Sequence, residues 1–232
     1  MSEQCGSAIY VFGIDVGFRK TGVTVFRIDQ TPDELVYAVT LRSDDRELER
    51  RTDADTASVI SIVTELRKLV LNFKPVAFFI EVPHGGGQGA RALHCMGMAK
   101  AMIAAVIAYE AIAYELYTPV SVEKALGIEA KKTKSAELLR MSKSARAKLR
   151  TEHSKLKKAK LKDAATSTWP HFDGWPTSAE LAEDAYDSAC AFIAGQKLNQ
   201  LYGRLKFLHG DDFDASAFSQ LPARDCRDGR SS

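Results

Sequence analysis

The chain has 232 residues, of which 45% are hydrophobic and 27% are charged, and its formal net charge is +2. This composition is typical of a soluble globular protein, and the length allows one sizeable core without demanding two domains. We found no run of about eighteen apolar residues, so we predict no membrane-spanning segment. The sequence therefore argues against disordered, fibrous and membrane-embedded classes of protein.

The N-terminal residues and the cysteines indicate the compartment and exclude some kinds of site. Residues 1–7 lack the basic-then-apolar layout of a secretory signal, so we expect an intracellular, cytoplasmic protein. The cysteines lie far apart and form no CxxC pair, which argues against a zinc knuckle or a disulfide framework. They are Cys5, Cys95, Cys190 and Cys226.

The first patterned stretch, Tyr10-Val11-Phe12-Gly13-Ile14-Asp15-Val16-Gly17, predicts a strand that ends in an acid. A carboxylate at the end of an apolar strand is costly unless it binds a cation or accepts hydrogen bonds. A turn or capping role for Asp15 is the simpler alternative. Residues 23–28 and 34–41 predict two further strands, so the chain should begin with an antiparallel meander.

A second strand that ends in an acid follows a helix. Apolar residues recur at helical spacing from Thr56 to Phe73, which predicts an amphipathic helix ending before Pro75. Residues 76–83 contain five successive apolar residues, as in a strand buried on both faces, and Glu81 lies near its end. The glycine-rich run at 85–89 matches neither a P-loop nor a dinucleotide fingerprint. We interpret it as a mobile loop beside an active site, with a plain linker into the next helix as the alternative.

A long apolar helix and a strand precede a basic segment. We predict the helix over 90–114, packed from several sides or contributing to a subunit interface, and the strand over 115–122. Residues 131–162 contain thirteen basic residues and two acids, a net charge of +11, and favour a helix. Because acid partners are nearly absent there, this segment favours a nucleic-acid contact over a solvated surface helix.

The last patterned part contains a pair of aspartates on one predicted helix. An aromatic connector at 169–176 should pack on the core, with stacking on a base as the alternative. Thr177 or Ser178 then caps a helix on which Asp184 and Asp187, three residues apart, share one face. Acids near a helix start interact well with its dipole, but Asp184 and Asp187 lie in the second and third turns, where that explanation is weaker.

Four acids without histidine or cysteine partners favour a hard divalent cation. Oxygen ligands select Mg²⁺, or Mn²⁺ as a substitute, over zinc, and two ions about 4 Å apart can clamp a phosphoryl displacement. One ion would lower the pKa of the attacking water and the other would stabilise the leaving 3′ oxygen. We therefore predict a two-ion phosphodiesterase site that needs no protein nucleophile.

The order of elements resembles the ribonuclease H-like fold, and four motifs resemble the RuvC family of Holliday junction resolvases. They are Gly13-Ile14-Asp15-Val16-Gly17 with Thr21-Gly22, Phe79-Ile80-Glu81, Val122-Glu123-Lys124 with Thr133-Lys134-Ser135, and Asp184-Ala185-Tyr186-Asp187-Ser188-Ala189. The basic segment and the tail are longer than in the usual bacterial members, as in phage-borne and organellar relatives.

The resemblance implies an α/β fold with a mixed five-stranded sheet, three antiparallel strands followed by parallel strands, flanked by helices. It implies a homodimer that cuts two opposed strands of a four-way DNA junction with Mg²⁺ and leaves ligatable nicks. The implied metal ligands are Asp15, Glu81, Asp184 and Asp187, and Lys134 matches a lysine near the scissile phosphate. With the basic segment, the expected DNA contacts are Lys124, Lys131, Lys132, Lys134, Arg140, Lys143, Lys155, Lys157 and Lys158.

Two other functions and a domain division complete the expectations. A broader nuclease would cut flaps and other branched DNA with the same chemistry, and an inactive ribonuclease H-like scaffold would bind DNA without cutting it. The presence of all four acids argues against the inactive scaffold. We expect one nuclease domain over 1–205, including the basic helical segment 131–162, and a flexible polar tail over 206–232.

Overall fold

The computed structural model describes residues 8–43, 50–83, 89–128, 141–198 and 200–207. Within them the chain forms one mixed five-stranded sheet with the strand order β3-β2-β1-β4-β5. β1, β2 and β3 are antiparallel, whereas β4 runs parallel to both β1 and β5, which confirms the predicted α/β architecture. The strands are β1 (Tyr10–Asp15), β2 (Lys20–Arg27), β3 (Glu34–Arg42), β4 (Ala77–Glu81) and β5 (Ala113–Tyr117).

Helices cover both faces of this sheet. Helices α1 and α2 pack on one face, and the remaining described helices, above all α5, pack on the other. We number them α1 (Arg51–Phe73), α2 (Ala90–Glu110), α3 (Pro119–Ala125), α4 (Lys143–Thr168), α5 (Ala179–Leu198) and α6 (Gln200–Phe207).

The strand pleat decides which helices meet the two acids at the strand ends. Phe12 and Ile14 belong to the core under α1 and α2, whereas Val11 belongs to the core under α5. Because successive side chains of a strand point to opposite faces, Asp15 shares the face of Val11. The same alternation in β4 places Glu81 on the face of Phe79, which also packs in the core under α5.

Glycines in the sheet let the backbone of α5 lie directly on the strands. A Cβ atom added at Gly13 would collide with the carbonyl oxygen of Ser188, and one at Gly22 would collide with the carbonyl oxygen of Asp184. The Ser188 hydroxyl also lies 3.2 Å from the Thr24 hydroxyl, a buried hydrogen bond between helix and sheet. This close approach fixes the height of the aspartate pair above the strand ends.

The predicted ends of one strand and one helix were wrong, and local backbone chemistry explains both. The strand predicted over 115–122 stops at Tyr117, because Thr118 and Ser121 form a capping box and Pro119 begins α3. The Thr118 hydroxyl accepts from the Ser121 amide at 3.2 Å, and the Ser121 hydroxyl accepts from the Thr118 amide at 3.0 Å. The helix predicted to reach residue 114 ends at Glu110, because Ala111 adopts a left-handed conformation.

Helix α2 is buried on one face only, which corrects the expectation of packing from several sides. Its buried side chains are Ala99, Met102, Ile103, Val106 and Ile107. By length and composition alone it is also apolar enough to cross a membrane, a property that core helices of globular domains share, and 28% of its most apolar window is buried in the domain. One face is therefore committed to the core and the other presents apolar surface.

The aromatic connector packs on the core, as predicted. Phe26 stacks on Phe192 with the ring centroids 3.9 Å apart, and Trp169 lies 4.8 Å from Phe26. Trp175 contacts Tyr186 of α5 at 4.7 Å. These rings anchor the chain between α4 and α5, and so help to orient both helices over the sheet.

The C-terminal part of the domain extends slightly past the predicted boundary at residue 205. Helix α6 continues to Phe207, and Lys206 donates to the Ile28 carbonyl at 2.7 Å and to Asp33 at 2.5 Å. Residues 206 and 207 therefore belong to the domain, and the remainder of the predicted tail lies outside the described residues.

Candidate active site

Two of the predicted acids are direct neighbours on adjacent strands. Asp15 and Glu81 are register partners at the carboxyl ends of the parallel strands β1 and β4. The Val16 amide donates to the Glu81 carbonyl at 3.0 Å, which continues the pairing one step past the strand end. Both side chains therefore leave the same edge of the sheet on the same face.

Helix α5 brings the other two acids to this edge. The backbone of Asp184 lies against Gly22, and Gly22 is the register partner of Asp15 in the β1–β2 ladder. Asp187 lies three residues further along α5, on the same side of the helix. The structure thus brings together all four acids that the sequence analysis singled out.

The mutual proximity of the acids changes their ionisation. Burial raises the pKa of Asp15 well above its usual value, and the neighbouring carboxylates of Glu81, Asp187 and Asp184 raise it further. Burial and then Asp187 raise the pKa of Glu81 to about 7.

The two aspartates of α5 shift in the same direction. Burial raises the pKa of Asp187 to about 6 and also raises the pKa of Asp184. A cluster of carboxyls that resist ionisation together is the electrostatic setting that a bound cation would relieve.

One basic side chain is embedded beside the acids. The Lys157 ammonium of α4 lies 2.7 Å from the carboxylate of Glu123 on α3, and its side chain is 35% exposed. Burial by itself would lower the pKa of Lys157, but the pairing with Glu123 and the charges of Glu81 and Asp187 raise it. Lys157 in turn lowers the pKa values of Glu81 and Asp187.

Further ion pairs surround the acidic cluster and correct part of the sequence analysis. Lys158 pairs with Glu183, one residue before Asp184, so the basic segment does find acid partners from elsewhere in the chain. Lys20 pairs with Glu180 of α5, and Arg42 lies 3.2 Å from the same carboxylate. These pairs fasten the start of α5 to β2, β3 and α4.

The other predicted DNA contacts divide into exposed and undescribed residues. Lys124, Lys143 and Lys155 are exposed on α3 and α4. The helix predicted within the basic segment is confirmed over Lys143–Lys162 and continues to Thr168. The residues that lie outside the described part of the chain are Lys131, Lys132, Lys134 and Arg140.

The donor set fits a hard divalent ion by its chemistry, because every candidate ligand is a carboxylate. The Oδ2 atom of Asp184 is buried and has no hydrogen-bond partner among the described residues, as expected of an oxygen kept for a cation. However, no three His, Cys, Asp or Glu side chains in the described ranges already converge as a ready-made metal-ligand group. Binding an ion would therefore require the carboxylates to draw closer.

The sequence analysis did not predict two ion pairs beside this site, which Lys20 and Glu123 form. Lys20 was not singled out, and Glu123 was named only within a motif, yet Lys20 pairs with Glu180 of α5 and Glu123 pairs with Lys157. The alternation of β2 offered a signal for Lys20, because Lys20, Gly22 and Thr24 share the face on which α5 lies. The pairing of Glu123 with a lysine 34 positions away had no local signal.

The comparisons with known proteins support the fold. No protein-family model and no curated protein matches the sequence. RuvC from T. thermophilus in complex with Holliday junction substrate superposes with a TM-score of 0.54 at 15% identity, covering 82% of this chain and 96% of that chain. A second Thermus thermophilus RuvC structure gives a TM-score of 0.55 at 14% identity, with the same coverage.

A third structure is less similar. The yeast mitochondrial Holliday junction resolvase Ydc2 gives a TM-score of 0.46 at 16% identity over 87% of each chain, a likeness too weak to carry an argument. The two RuvC superpositions have TM-scores above 0.5 and cover 96% of each RuvC chain. This chain therefore has a RuvC-like fold, of the ribonuclease H-like class.

Proposed function

We propose that this chain is a metal-dependent, structure-selective DNA endonuclease that resolves four-way junctions by paired symmetric nicks. The observation that carries the proposal is the placement of Asp15, Glu81, Asp184 and Asp187 at one edge of a RuvC-like sheet. One solved structure with this fold is a RuvC in complex with a Holliday junction substrate, which supports branched DNA as the ligand.

The four carboxylates would hold two Mg²⁺ ions per site, with Mn²⁺ as a substitute. Bound ions of this kind supply positive charge to an in-line displacement at phosphorus, where the water nucleophile is activated and the 3′ oxygen leaves. Asp15 and Glu81 supply ligands from rigid strand ends, and Asp184 and Asp187 supply them from α5. Lys134, which lies outside the described residues, is proposed to contact the scissile phosphate.

The basic helix α4 is proposed to hold the DNA backbone near the acids. Its exposed lysines, including Lys155 and Lys160, are not neutralised by described ion pairs, whereas Lys158 is paired with Glu183. Phosphate contacts of this kind bind DNA independently of sequence and weaken as salt rises. The helix reaches the acidic edge at Lys157, so DNA lying along α4 would lead into the site.

Paired nicks require two acidic centres, and the described part of each chain contains one, so we propose that a second copy of the chain completes the enzyme. The surface for it is formed by α2 and the edge strand β5, where Tyr109 is 73% exposed and Leu116 is 44% exposed. A cavity of about 420 Å³ on this surface is lined by Ile107, Tyr114 and Val82, the residue after Glu81. Apolar surface of this kind favours association with another apolar surface.

The first experiment compares four synthetic substrates of matching sequence: a four-way junction, a flap, a fork and a linear duplex. Each is incubated with the protein and Mg²⁺ or with a chelator, and the cut positions are mapped on every strand. We expect paired symmetric cuts on the junction that disappear with chelator. Sedimentation of the same preparation should show a dimer, and Leu116→Lys should reduce it to a monomer that no longer makes paired cuts.

Three other outcomes would each contradict one part of the proposed function. Equal cutting of the junction, flap and fork would make the chain a general branched-DNA nuclease. Binding of the junction without any cutting would favour an inactive scaffold. Paired cutting by a protein that sediments as a monomer would overturn the proposed second copy.

A further inference from the structure

Lys157 differs from the other lysines around it on α4. The residues Lys155, Lys158 and Lys160 are exposed, whereas Lys157 is half-buried. A half-buried ammonium needs fixed partners, because burial of an unpaired charge is costly. The surroundings of Lys157 therefore show what holds it in place.

Three contacts fix the side of α4 from which Lys157 projects. Lys158 pairs with Glu183, and the Cys190 thiol donates to the Leu161 carbonyl at 3.3 Å. The Lys162 ammonium lies 5.8 Å from the ring centroid of Tyr186. These contacts lay α4 along the part of α5 that bears Asp184 and Asp187.

The direct partner of Lys157 is Glu123, which comes from a third element. Its carboxylate lies 2.7 Å from the Lys157 ammonium and is only 16% exposed, so the pair is shielded from solvent more than an ordinary surface pair. Lys157 also attracts Glu81, Asp187 and Asp15 and lowers the pKa of each. Because α4 lies along the part of α5 that bears Asp184 and Asp187, the ammonium lies on the side of the acidic cluster while it pairs with Glu123, an acid outside the cluster.

We propose that Lys157, held by Glu123, is a positioning residue that sets the divalent-metal affinity of the acidic centre by acting as its resident cation. This inference rests on the proposed function, because it takes the four acids to be metal ligands. A fixed positive charge repels an incoming divalent ion but keeps the four carboxylates together in its absence. Glu123 limits that repulsion by drawing the ammonium to itself.

Direct titration of the metal-binding equilibrium tests the proposal without relying on cleavage. Mn²⁺ binding to the full-length protein is measured by calorimetry for wild type, Lys157→Met, Lys157→Arg and Lys160→Met. Loss of the charge in Lys157→Met should tighten Mn²⁺ binding about tenfold, the scale of one unit charge acting on a divalent ion through partly screened solvent. Lys157→Arg keeps the charge and should bind Mn²⁺ as wild type does.

Lys160→Met is the matched control, because it removes the same charge from an exposed position of the same helix. Its Mn²⁺ affinity should equal that of wild type. Glu123→Gln releases Lys157 toward the acids and should weaken Mn²⁺ binding about tenfold. The double variant Glu123→Gln with Lys157→Met should restore most of that loss. Thermal unfolding of every variant establishes that it is folded.

The outcomes separate this inference from the proposed function. Wild type that binds Mn²⁺, together with an unchanged affinity in Lys157→Met, would show a merely structural ion pair and overturn the inference alone. A change of the same size in Lys160→Met would also overturn it, because position would not matter. Wild type that binds no Mn²⁺ would overturn both the inference and the metal-dependent function.

Discussion

The two faces of the sheet are packed in different ways. Under α1 and α2 the core is built from large side chains such as Phe12, Phe78 and Ile62. Under α5, Gly13 and Gly22 let the helix backbone touch the strands. The first face is held by side chains that can adjust, whereas the second is held by backbone contacts that cannot. The acids lie on the second face, where their positions are fixed most tightly.

The largest effect should come from the acids themselves. Asp15→Asn removes a carboxylate from the centre of the cluster without changing its shape. We expect cleavage of a four-way junction to fall by more than about a hundredfold, because changing residues that only support metal ligands already costs about 10–100-fold. Junction binding in the presence of chelator should remain close to that of wild type. Asp173→Asn, at an exposed position of the connector, is the control and should cut as wild type does. Undiminished cleavage by Asp15→Asn would show that Asp15 does not belong to the active site.

A cavity created in the core under α1 and α2 should lower the free energy of unfolding without changing the rate of cleavage. Ile62 is fully buried, so Ile62→Ala should lower the free energy of unfolding by about 2–5 kcal/mol. Cleavage per folded molecule should stay at the wild-type level, since none of the four acids of the candidate site lies on α1 or α2. Denaturant titration and cleavage assays below the melting temperature measure the two quantities. A parallel loss of cleavage per folded molecule would contradict the separation of the two faces.

The acidic cluster should make metal-free protein less stable as pH rises. The folded-state pKa of Glu81 is raised to about 7 from 4.5, so the folded state keeps a proton that the unfolded state has lost. The stability from this group is fully present below about pH 4.5 and is lost as pH rises through 7, amounting to up to about 3 kcal/mol. Glu81→Gln should flatten this part of the pH–stability curve, measured by denaturant titration in chelator. A wild-type curve that rises between pH 5 and 7 would contradict the shift.

Separating α5 from the sheet should disturb both stability and the site. Gly22→Ala places a methyl group against the Asp184 carbonyl, so we expect a loss of about 1–3 kcal/mol and slower cleavage by the folded protein. Gly97→Ala is the matched control on α2, where an added methyl group meets open space and should stabilise the helix by about 1 kcal/mol. Equal effects of the two substitutions would show that the close approach is not required.

The smallest effect should come from the exposed charges of α4. Replacing both Lys155 and Lys160 by Gln should weaken junction binding and reduce the slope of log affinity against log salt by about 0.9 for each lysine. Lys68→Gln on α1, on the other face of the sheet, removes an exposed lysine that pairs with Glu65 and should leave the slope unchanged. An unaltered slope in the α4 variant would show that these lysines of α4 do not contact the DNA backbone.

Much of the fold and the identity of the acids were readable from the sequence, because they depend on short-range patterns. Predicted strands that end in an acid singled out Asp15 and Glu81, and a three-residue spacing on one predicted helix singled out Asp184 and Asp187. The mixed five-stranded sheet was implied by the resemblance of the motifs and of the element order to the RuvC family. The errors occurred where one residue overrides a longer trend. The capping box of Thr118 and the left-handed Ala111 ended elements that composition alone would have continued.

Only the tertiary structure decided how the charges are paired and how close the elements lie. The basic segment is nearly free of acids within its own sequence, yet Lys157 and Lys158 find Glu123 and Glu183 across the fold. The sequence by itself determined which residues carry charge and which strands end in an acid, since composition and periodicity are local properties. Which charges form ion pairs and which side chains are buried depend on contacts between residues far apart in the chain. These contacts form only when α5 packs against Gly13 and Gly22 of the sheet.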